Sequence, residues 1–234
     1  MSILYIVIPA YNESKNIKSV INDWYPVVER CGADSRLIIF DGTSPDGTAG
    51  IVSEMQQTRP MLALQIYPKC GHGATLQIAY RYALAQGADY VFQTDADGQT
   101  LASEFKQLWD AREQYDVQIG FRKSRGDGIN RWIVTRTLRI VLFLIFGLWI
   151  QDANTPFRLM SRMTLEQNLP KVPEGYNLTN TLLTVSFHKQ KERIRYVPIT
   201  FRSRQGGENA LAMKQIVKIG FRSIKDFISM RDAL

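Results

Sequence analysis

The first 122 residues alternate short apolar runs with longer helical stretches, and this alternation restricts the fold more than any other feature of the chain. The runs "ILYIVIPA", "RLIIFDG", "LALQIY", "DYVFQTDAD" and "DVQIGFR" have strand character, and helical periodicity occupies residues 14–30, 47–57, 73–86 and 102–114. Strands joined by helices pair in parallel, because a helix is long enough to cross back over the sheet. We therefore predict an α/β fold with a Rossmann-like, mostly parallel sheet and flanking helices.

The length of 234 residues suits one such domain with a full hydrophobic core. No repeat or low-complexity linker divides the chain. The spacing of its two cysteines is not that of a metal site. Its first residues have the pattern of an apolar strand, whereas a secretory leader would begin with a basic region followed by an apolar core. We expect a reducing, cytoplasmic compartment.

Charge is unevenly divided along the chain. Residues 1–121 contain 9 basic and 14 acidic side chains, whereas residues 122–234 contain 20 and 8. The basic second half is expected to face an anionic partner, which is nucleic acid, a phospholipid surface or a phosphorylated substrate. Its basic segments alternate with aliphatic faces and offer few aromatic rings for base stacking, so we expect no nucleic-acid partner.

Two stretches of the second half have the pattern of helices that lie at a surface. The apolar run 140–150 would span about 16 Å as a helix, roughly half of a bilayer's hydrocarbon core, and so does not cross a membrane. It is either a buried packing helix or an interfacial helix, because arginines precede it at helical spacing: Arg131, Arg136 and Arg139. Residues 211–230 separate apolar from basic side chains, as an amphipathic helix does on its own domain or on an anionic membrane.

Polar and glycine-rich segments follow four of the predicted strands: "PAYNES", "DGTSPDGT", "KCGHGAT" and "DADGQT". In open parallel sheets, ligands bind beyond the carboxyl ends of the strands. We therefore expect one crevice to collect all four segments.

The segment "DADGQ" has the composition of a metal site. Alternation in a strand places Asp95, Asp97 and Gln99 on the same side, so they would present oxygen ligands in one direction. Carboxylate and amide oxygens suit Mg²⁺ or Mn²⁺, and magnesium needs one or two carboxylates when phosphate oxygens complete its shell. The alternative is an ordinary turn whose aspartates cap a helix that begins near Ala102.

Two other segments, "PAYNES" and "DGTSPDGT", suit a nucleotide, and "GHGAT" is a second glycine loop that opens a helix. Asp41 can accept hydrogen bonds from a base or ribose, Tyr11 can lie beside a flat ring, and Glu13 can lie near a sugar hydroxyl. "PAYNES" also fits a simple polar turn with Asn12 as a helix cap. We interpret His72 as a loop residue and not as a ligand or base.

With these residues in view, the chain resembles the family 2 glycosyltransferases, and among them the dolichol-phosphate mannosyltransferases and polyprenyl-phosphate glycosyltransferases. The resemblance runs from residue 3 to 204 through "VIPAYNES", "DGTSPDGT", "GHGAT", "DADGQ", "QDANTPFR" and "YVPITFRSRQGGE". It implies a glycosyltransferase A-type fold over residues 1–234. Residues 1–121 would bind the nucleotide, 122–204 the acceptor, and 205–234 would form a basic amphipathic tail on the membrane surface.

The resemblance also implies a role for each matching position. Nucleotide contacts would come from Pro9, Tyr11, Glu13 and Asp41. The metal and the donor diphosphate would be held by Asp95, Asp97 and Gln99. Phosphates of donor or acceptor would be bound by Arg122, Arg131, Arg202 and Arg204. The catalytic residues would be Asp97 and, beside the reacting sugar carbon, Asp152.

Three features depart from the family pattern. Gly42 stands where many members have a second aspartate, and Pro156 replaces the usual glycine before Phe157. The transmembrane helices of some members do not appear. We expect surface helices, a membrane-anchoring partner protein or a second copy of the chain to provide membrane attachment.

The expected function is inverting, metal-dependent transfer of a hexose from a nucleoside diphosphate sugar to polyprenyl phosphate, undecaprenyl or dolichyl, at the cytoplasmic membrane face. A cation on the diphosphate would stabilise charge as the sugar leaves. A lipid phosphate is largely a dianion at pH 7 and needs no strong base, whereas a hydroxyl acceptor would require Asp152 as base. The alternatives are transfer to a hydroxyl of a surface polysaccharide or glycolipid, and a non-catalytic sugar-nucleotide-binding or scaffold subunit.

Overall fold

A computed structural model describes residues 2–122, 129–203 and 223–231. Within them the strands are β1 (Leu4–Ala10), β2 (Arg36–Asp41), β3 (Leu62–Ile66), β4 (Tyr90–Gln93), β5 (Val117–Arg122), β6 (Arg158–Ser161) and β7 (Ile194–Ile199). The helices are α1 (Ile17–Cys31), α2 (Thr48–Gln56), α3 (His72–Ala85), α4 (Lys106–Asp110), α5 (Ile129–Phe146), α6 (Arg162–Asn168), α7 (Thr179–Lys189) and α8 (223–230).

The strands form one seven-stranded sheet in the order β3-β2-β1-β4-β6-β5-β7. β1, β2, β3 and β4 are mutually parallel, β7 is parallel to β5, and β6 is antiparallel to both of its neighbours. The predicted α/β class and mostly parallel sheet are confirmed. Helices cover both faces, so β1 is buried along its whole length.

Two apolar clusters pack on opposite faces of the sheet. In the first, the ring of Phe92 on β4 lies 5.1 Å from that of Trp24, 4.9 Å from Phe105 and 4.8 Å from Phe157. The second surrounds α7, which is buried from Thr179 through Phe187. These clusters hold the strand ends rigidly in place.

Several predicted boundaries were wrong. β4 ends at Gln93, because the chain turns at once and Gly98 takes a φ of 72°. The helix expected over 102–114 consists of a short 3-10 turn and the five-residue α4. The apolar run 140–150 is not one helix, since α5 starts at Ile129 and ends before Gly147, whose φ is also 72°.

The predicted basic tail, 205–234, is described only at 223–231. There α8 is attached to the domain by Phe227, which is buried and lies 5.9 Å from the ring of Phe146 and 6.4 Å from that of Tyr176. Among the described residues, no helix is both long enough and apolar enough to pass through a bilayer.

Candidate active site

The carboxyl ends of β1, β2 and β4 meet at one edge of the sheet, as the sequence predicts. Ala10 pairs with Asp41 across β1 and β2, and Val7 pairs with Gln93 across β1 and β4. β6 runs in the opposite direction, so its first residue, Arg158, is the one that pairs with Gln93. The segment that precedes β6, which contains Asp152, is thereby brought to the same edge.

The loops after β1 and β2 are bonded to each other. Glu13 is buried, its Oε2 accepts a 2.7 Å hydrogen bond from Asn16, and its backbone N–H donates to Thr48 Oγ1 at 3.0 Å. Asp46 accepts from Thr48 and from the backbone of Ser14. Partial burial raises the pKa of Asp46, but these hydrogen bonds outweigh it and lower that pKa to about 2. Glu13 therefore sits in a fixed position.

Asp41, the last residue of β2, is only 1% exposed. Its Oδ1 accepts from Ser44 Oγ at 2.6 Å and its Oδ2 from Ser44 N at 2.9 Å. Each oxygen keeps a second acceptor site, which a base or ribose would use. Pro9 is buried inside β1 beside Phe40 of β2. The nucleotide contacts of Asp41 and Pro9 remain predictions.

Tyr11, which follows the end of β1, lies close to Lys69 and to Gly42. Lys69 Nζ lies 3.7 Å from the centre of its ring. A Cβ atom on Gly42 would come within 3.3 Å of Tyr11 Cδ2. An aspartate at position 42 would therefore press on the Tyr11 ring, which gives a steric reason for the glycine found here.

The "DADG" turn leaves a buried oxygen of Asp95 without a hydrogen-bond partner among the described residues: Oδ1. His72 Nε2 is 3.9 Å from that oxygen, a distance too long for a hydrogen bond. Asp97 Oδ1 accepts from Gln99 N at 3.1 Å, so Asp97 closes the turn, and no side chain caps the 3-10 turn at Ala102. An uncompensated buried carboxylate oxygen is costly, and a divalent cation would fit it.

Alternation along a strand does not align the three expected metal ligands, since β4 ends before them. In the described part of the chain, no three His, Cys, Asp or Glu side chains converge as a metal cluster. Gln99 Nε2 donates to the carbonyl of Arg202 at 2.8 Å, and Arg202 N donates back to Gln99 O at 2.9 Å. Gln99 thus ties the loop after β7 to the turn through its side-chain Nε2 and its backbone carbonyl.

Arg122 and Asp152 form a buried, two-pronged ion pair, with Nε to Oδ2 at 2.7 Å and Nη2 to Oδ1 at 2.8 Å. The Arg122 guanidinium also lies 4.9 Å from the ring centre of Phe201. The predicted phosphate-binding cation and the predicted catalytic carboxylate are therefore direct partners. Of the other expected arginines, Arg131 lies in α5, where its side chain is not described, and Arg204 lies outside the described residues.

Arg158 holds the segment that carries Asp152. It is fully buried, and its guanidinium donates to the carbonyl oxygens of Ala153, Thr155 and Asn180. Burial lowers the pKa of Arg158, although a guanidinium remains protonated. Its positive charge therefore lies at the end of β4, where Arg158 pairs with Gln93.

Residues 5–169 match the family model described as glycosyl transferase family 2. The chain is a family 2 glycosyltransferase. It is 26% identical over 227 residues to the polyprenol monophosphomannose synthase of Mycolicibacterium smegmatis, covering 93% of this chain and 84% of that protein. It is also 26% identical over 216 residues to the undecaprenyl-phosphate mannosyltransferase of Micrococcus luteus, covering 88% of this chain and 86% of that protein.

The fold of this glycosyltransferase is similar to that of glucosyl-3-phosphoglycerate synthase from Mycobacterium tuberculosis. That enzyme was crystallised with Mn²⁺, UDP and glucosyl-3-phosphoglycerate, and the two structures have a TM-score of 0.72 at 21% identity, covering 99% of this chain and 80% of that chain. The expected family, enzyme class and A-type fold are confirmed.

Sequence reasoning gave no role to three side chains that lie at the site of this glycosyltransferase: Lys69, His72 and Arg158. His72 is the first residue of α3 and not part of a loop. The segments "KCGHGAT" and "QDANTPFR" both stood out in the sequence and contain these three residues, so their polar side chains were the signal that could have pointed to them.

Proposed function

We propose that this glycosyltransferase moves a hexose, with inversion, from a nucleoside diphosphate sugar to the phosphate of a polyprenyl phosphate, and that it uses a divalent cation. The observation that carries the proposal is the buried Oδ1 of Asp95 at the sheet edge, which accepts no hydrogen bond from any residue that the structure describes and lies close to the first residue of α3. The two curated relatives described above, named for polyprenol and undecaprenyl-phosphate substrates, support the acceptor class.

Asp95 and Asp97 would hold the cation, with Gln99 Oε1 as a further oxygen. When bound, the cation neutralises charge that develops on the departing diphosphate. Mn²⁺ and UDP in the crystal of the M. tuberculosis enzyme support this assignment. The positive end of α3, a helix of 14 residues, faces the same crevice and favours an anion there.

The nucleotide would bind across the ends of β1 and β2. Asp41 is fixed by Ser44, Glu13 by Asn16, and the Tyr11 ring offers a flat surface once Lys69 moves aside. These residues belong to the acidic half, 1–121, which we infer to be the donor half. Residues 122–204 would then form the acceptor half.

The ion pair of Arg122 and Asp152 would meet the acceptor. Arg122 uses Nε and Nη2 for Asp152, and its Nη1 is not part of the pair. A phosphate dianion would compete for the guanidinium, because a doubly charged partner attracts it more strongly than one carboxylate does. Asp152 would then stabilise positive charge on the sugar carbon. No general base is required when the acceptor is already ionised.

An exposed apolar patch supports work at a lipid surface. We define the α5 patch as four large side chains that are 47–73% exposed: Ile140, Phe143, Leu144 and Trp149. Phe143 and Trp149 meet edge to face at 5.8 Å, and Arg139 lies 5.7 Å from the Trp149 ring centre. Apolar rings beside a guanidinium are typical of a surface that dips into anionic lipid. We propose that the α5 patch contacts the cytoplasmic face of the membrane.

The test is a transfer assay with the full chain. The purified protein is incubated with Mn²⁺, a panel of labelled sugar nucleotides and undecaprenyl phosphate. We expect label in the organic phase that mild acid releases, because a glycosyl phosphate is acid-labile. Asp97→Ala should abolish the signal, and Asp110→Ala, which removes an exposed carboxylate paired with Lys106, should keep it.

Two results would contradict the proposal. Label that resists mild acid would indicate a hydroxyl acceptor. Full transfer by the Asp97→Ala protein would rule out the assigned cation site.

A further inference from the structure

The side chains of His72 and Asp95 face each other across the edge of the sheet, at the start of α3 and after the end of β4. His72 Nε2 lies 3.9 Å from Asp95 Oδ1, and that oxygen is buried without a hydrogen-bond partner among the described residues. The two atoms are too far apart for a hydrogen bond. Two ligands that each lie about 2.1 Å from one ion are separated by about 3.0 Å at a right angle and about 4.2 Å when opposed. The observed separation falls inside this interval.

We infer that His72 would be a nitrogen ligand of the divalent cation, together with Asp95, and that it would make this glycosyltransferase favour Mn²⁺ over Mg²⁺. The inference rests on the proposed cation site, and it adds a ligand outside the "DADGQ" segment. The donor set then combines imidazole with carboxylate.

The position of His72 is held from both sides. Gly71 precedes it with a φ of 94°, and Thr75 Oγ1 and Thr75 N both donate to the Gly71 carbonyl. Gly73 follows it and lies directly against the backbone of Tyr176, where an added Cβ would be 2.1 Å from the carbonyl oxygen. The backbone of His72 cannot shift far, and its side chain is 52% exposed, so an ion can reach it from the crevice.

The chemistry of imidazole gives the expected metal preference. Mg²⁺ prefers oxygen ligands and keeps several waters, whereas imidazole is a common ligand of first-row transition metals. A site with only Asp95 and Asp97 would discriminate weakly between Mg²⁺ and Mn²⁺. A site that includes His72 would bind Mn²⁺ better.

Direct detection of the metal–nitrogen bond tests the inference. The full chain is loaded with Mn²⁺, and pulsed electron paramagnetic resonance records modulation from a coordinated imidazole nitrogen. The chain has two histidines, so each can be removed separately. The control is His188→Gln, because His188 bonds to the Tyr196 hydroxyl at 2.9 Å and is not at the crevice.

We expect nitrogen modulation in the wild type and in His188→Gln, and its loss in His72→Ala. Titration with Mn²⁺ alone should show that His72→Ala binds the ion at least about 10-fold more weakly than the wild type. Loss of a residue that only hydrogen-bonds to a metal ligand weakens binding by about 10- to 100-fold, and loss of a ligand itself should cost no less. Binding of Mg²⁺ should weaken less. A melting temperature equal to that of the wild type would exclude misfolding of this half-exposed position.

The inference is wrong if modulation persists in His72→Ala. It is also wrong if Mn²⁺ binds without modulation while Asp95→Asn weakens that binding, and in that case the proposed cation site stands. Mn²⁺ binding that neither Asp95→Asn nor Asp97→Ala changes would remove both the inference and the cation site on which it rests.

Discussion

The contact between Gly73 and the segment before α7 leads to a sharp prediction about stability. In Gly73→Ala, the new Cβ would lie 2.1 Å from Tyr176 O and 2.5 Å from Asn177 O. An ordinary contact between carbon and oxygen is about 3.3 Å, so one backbone must move by about 1 Å. Because α3 is packed in the core, the segment is expected to move.

That segment is tied to α3 by hydrogen bonds that the movement would break. Gln77 Nε2 donates to Pro173 O at 2.9 Å, Thr179 Oγ1 donates to Gly73 O at 3.0 Å, and Gly175 N donates to Gln77 Oε1 at 3.3 Å. At about 0.5–1.5 kcal/mol for each of the three bonds, the loss is about 1.5–4.5 kcal/mol. For a chain of this length, that lowers the melting temperature by about 3–18 °C.

The matched control is Gly50→Ala in α2, where an added Cβ meets nothing within 4 Å. Removing a glycine from a helix should raise the free energy of unfolding by about 0.5–1 kcal/mol. Urea unfolding of both variants measures the difference. If Gly73→Ala is as stable as Gly50→Ala, the close packing of α3 against residues 176–177 is refuted.

Three further outcomes are expected. Leu144 is 73% exposed in the α5 patch, so Leu144→Ser should weaken flotation of the protein with anionic liposomes. The control Met163→Ser changes a residue that is 61% exposed at the opposite edge of the sheet and should float as the wild type does; equal flotation of the two variants would contradict the patch assignment. Burial raises the pKa of Cys31 to about 11, whereas Cys70 is exposed. A thiol reagent at pH 8 should therefore label only Cys70 in the native protein and both cysteines in urea, and labelling of both in the native protein would contradict the burial of Cys31. The pKa of Asp46 is lowered to about 2, so its charge stabilises the fold above about pH 4 and loses that effect as the pH falls toward 2. The difference in the free energy of unfolding between the wild type and Asp46→Asn should therefore shrink between about pH 4 and about pH 2. A difference that stays constant over that range would contradict the lowered pKa.

Some of the site could be predicted because it depends on local pattern. Alternating apolar runs and helical stretches predict parallel strands, and parallel strands bring their carboxyl ends to one edge. The segments that begin at Tyr11, Asp41 and Asp95 were therefore expected together, and they lie together. Local pattern could not show that β4 stops at Gln93, because the polar residues that follow it are equally compatible with the last residues of a strand and with a turn.

The sequence by itself determined the class of fold, the edge of the sheet at which the polar segments meet and the family to which the chain belongs, because each depends on periodicity or on short ordered motifs. Tertiary structure alone decided which side chains face each other there. Asp152 reaches Arg122 because β6 is antiparallel, and His72 reaches Asp95 because α3 begins beside the turn after β4. Such contacts join residues 20 or more positions apart, and they depend on the path of the whole chain, which no local pattern encodes.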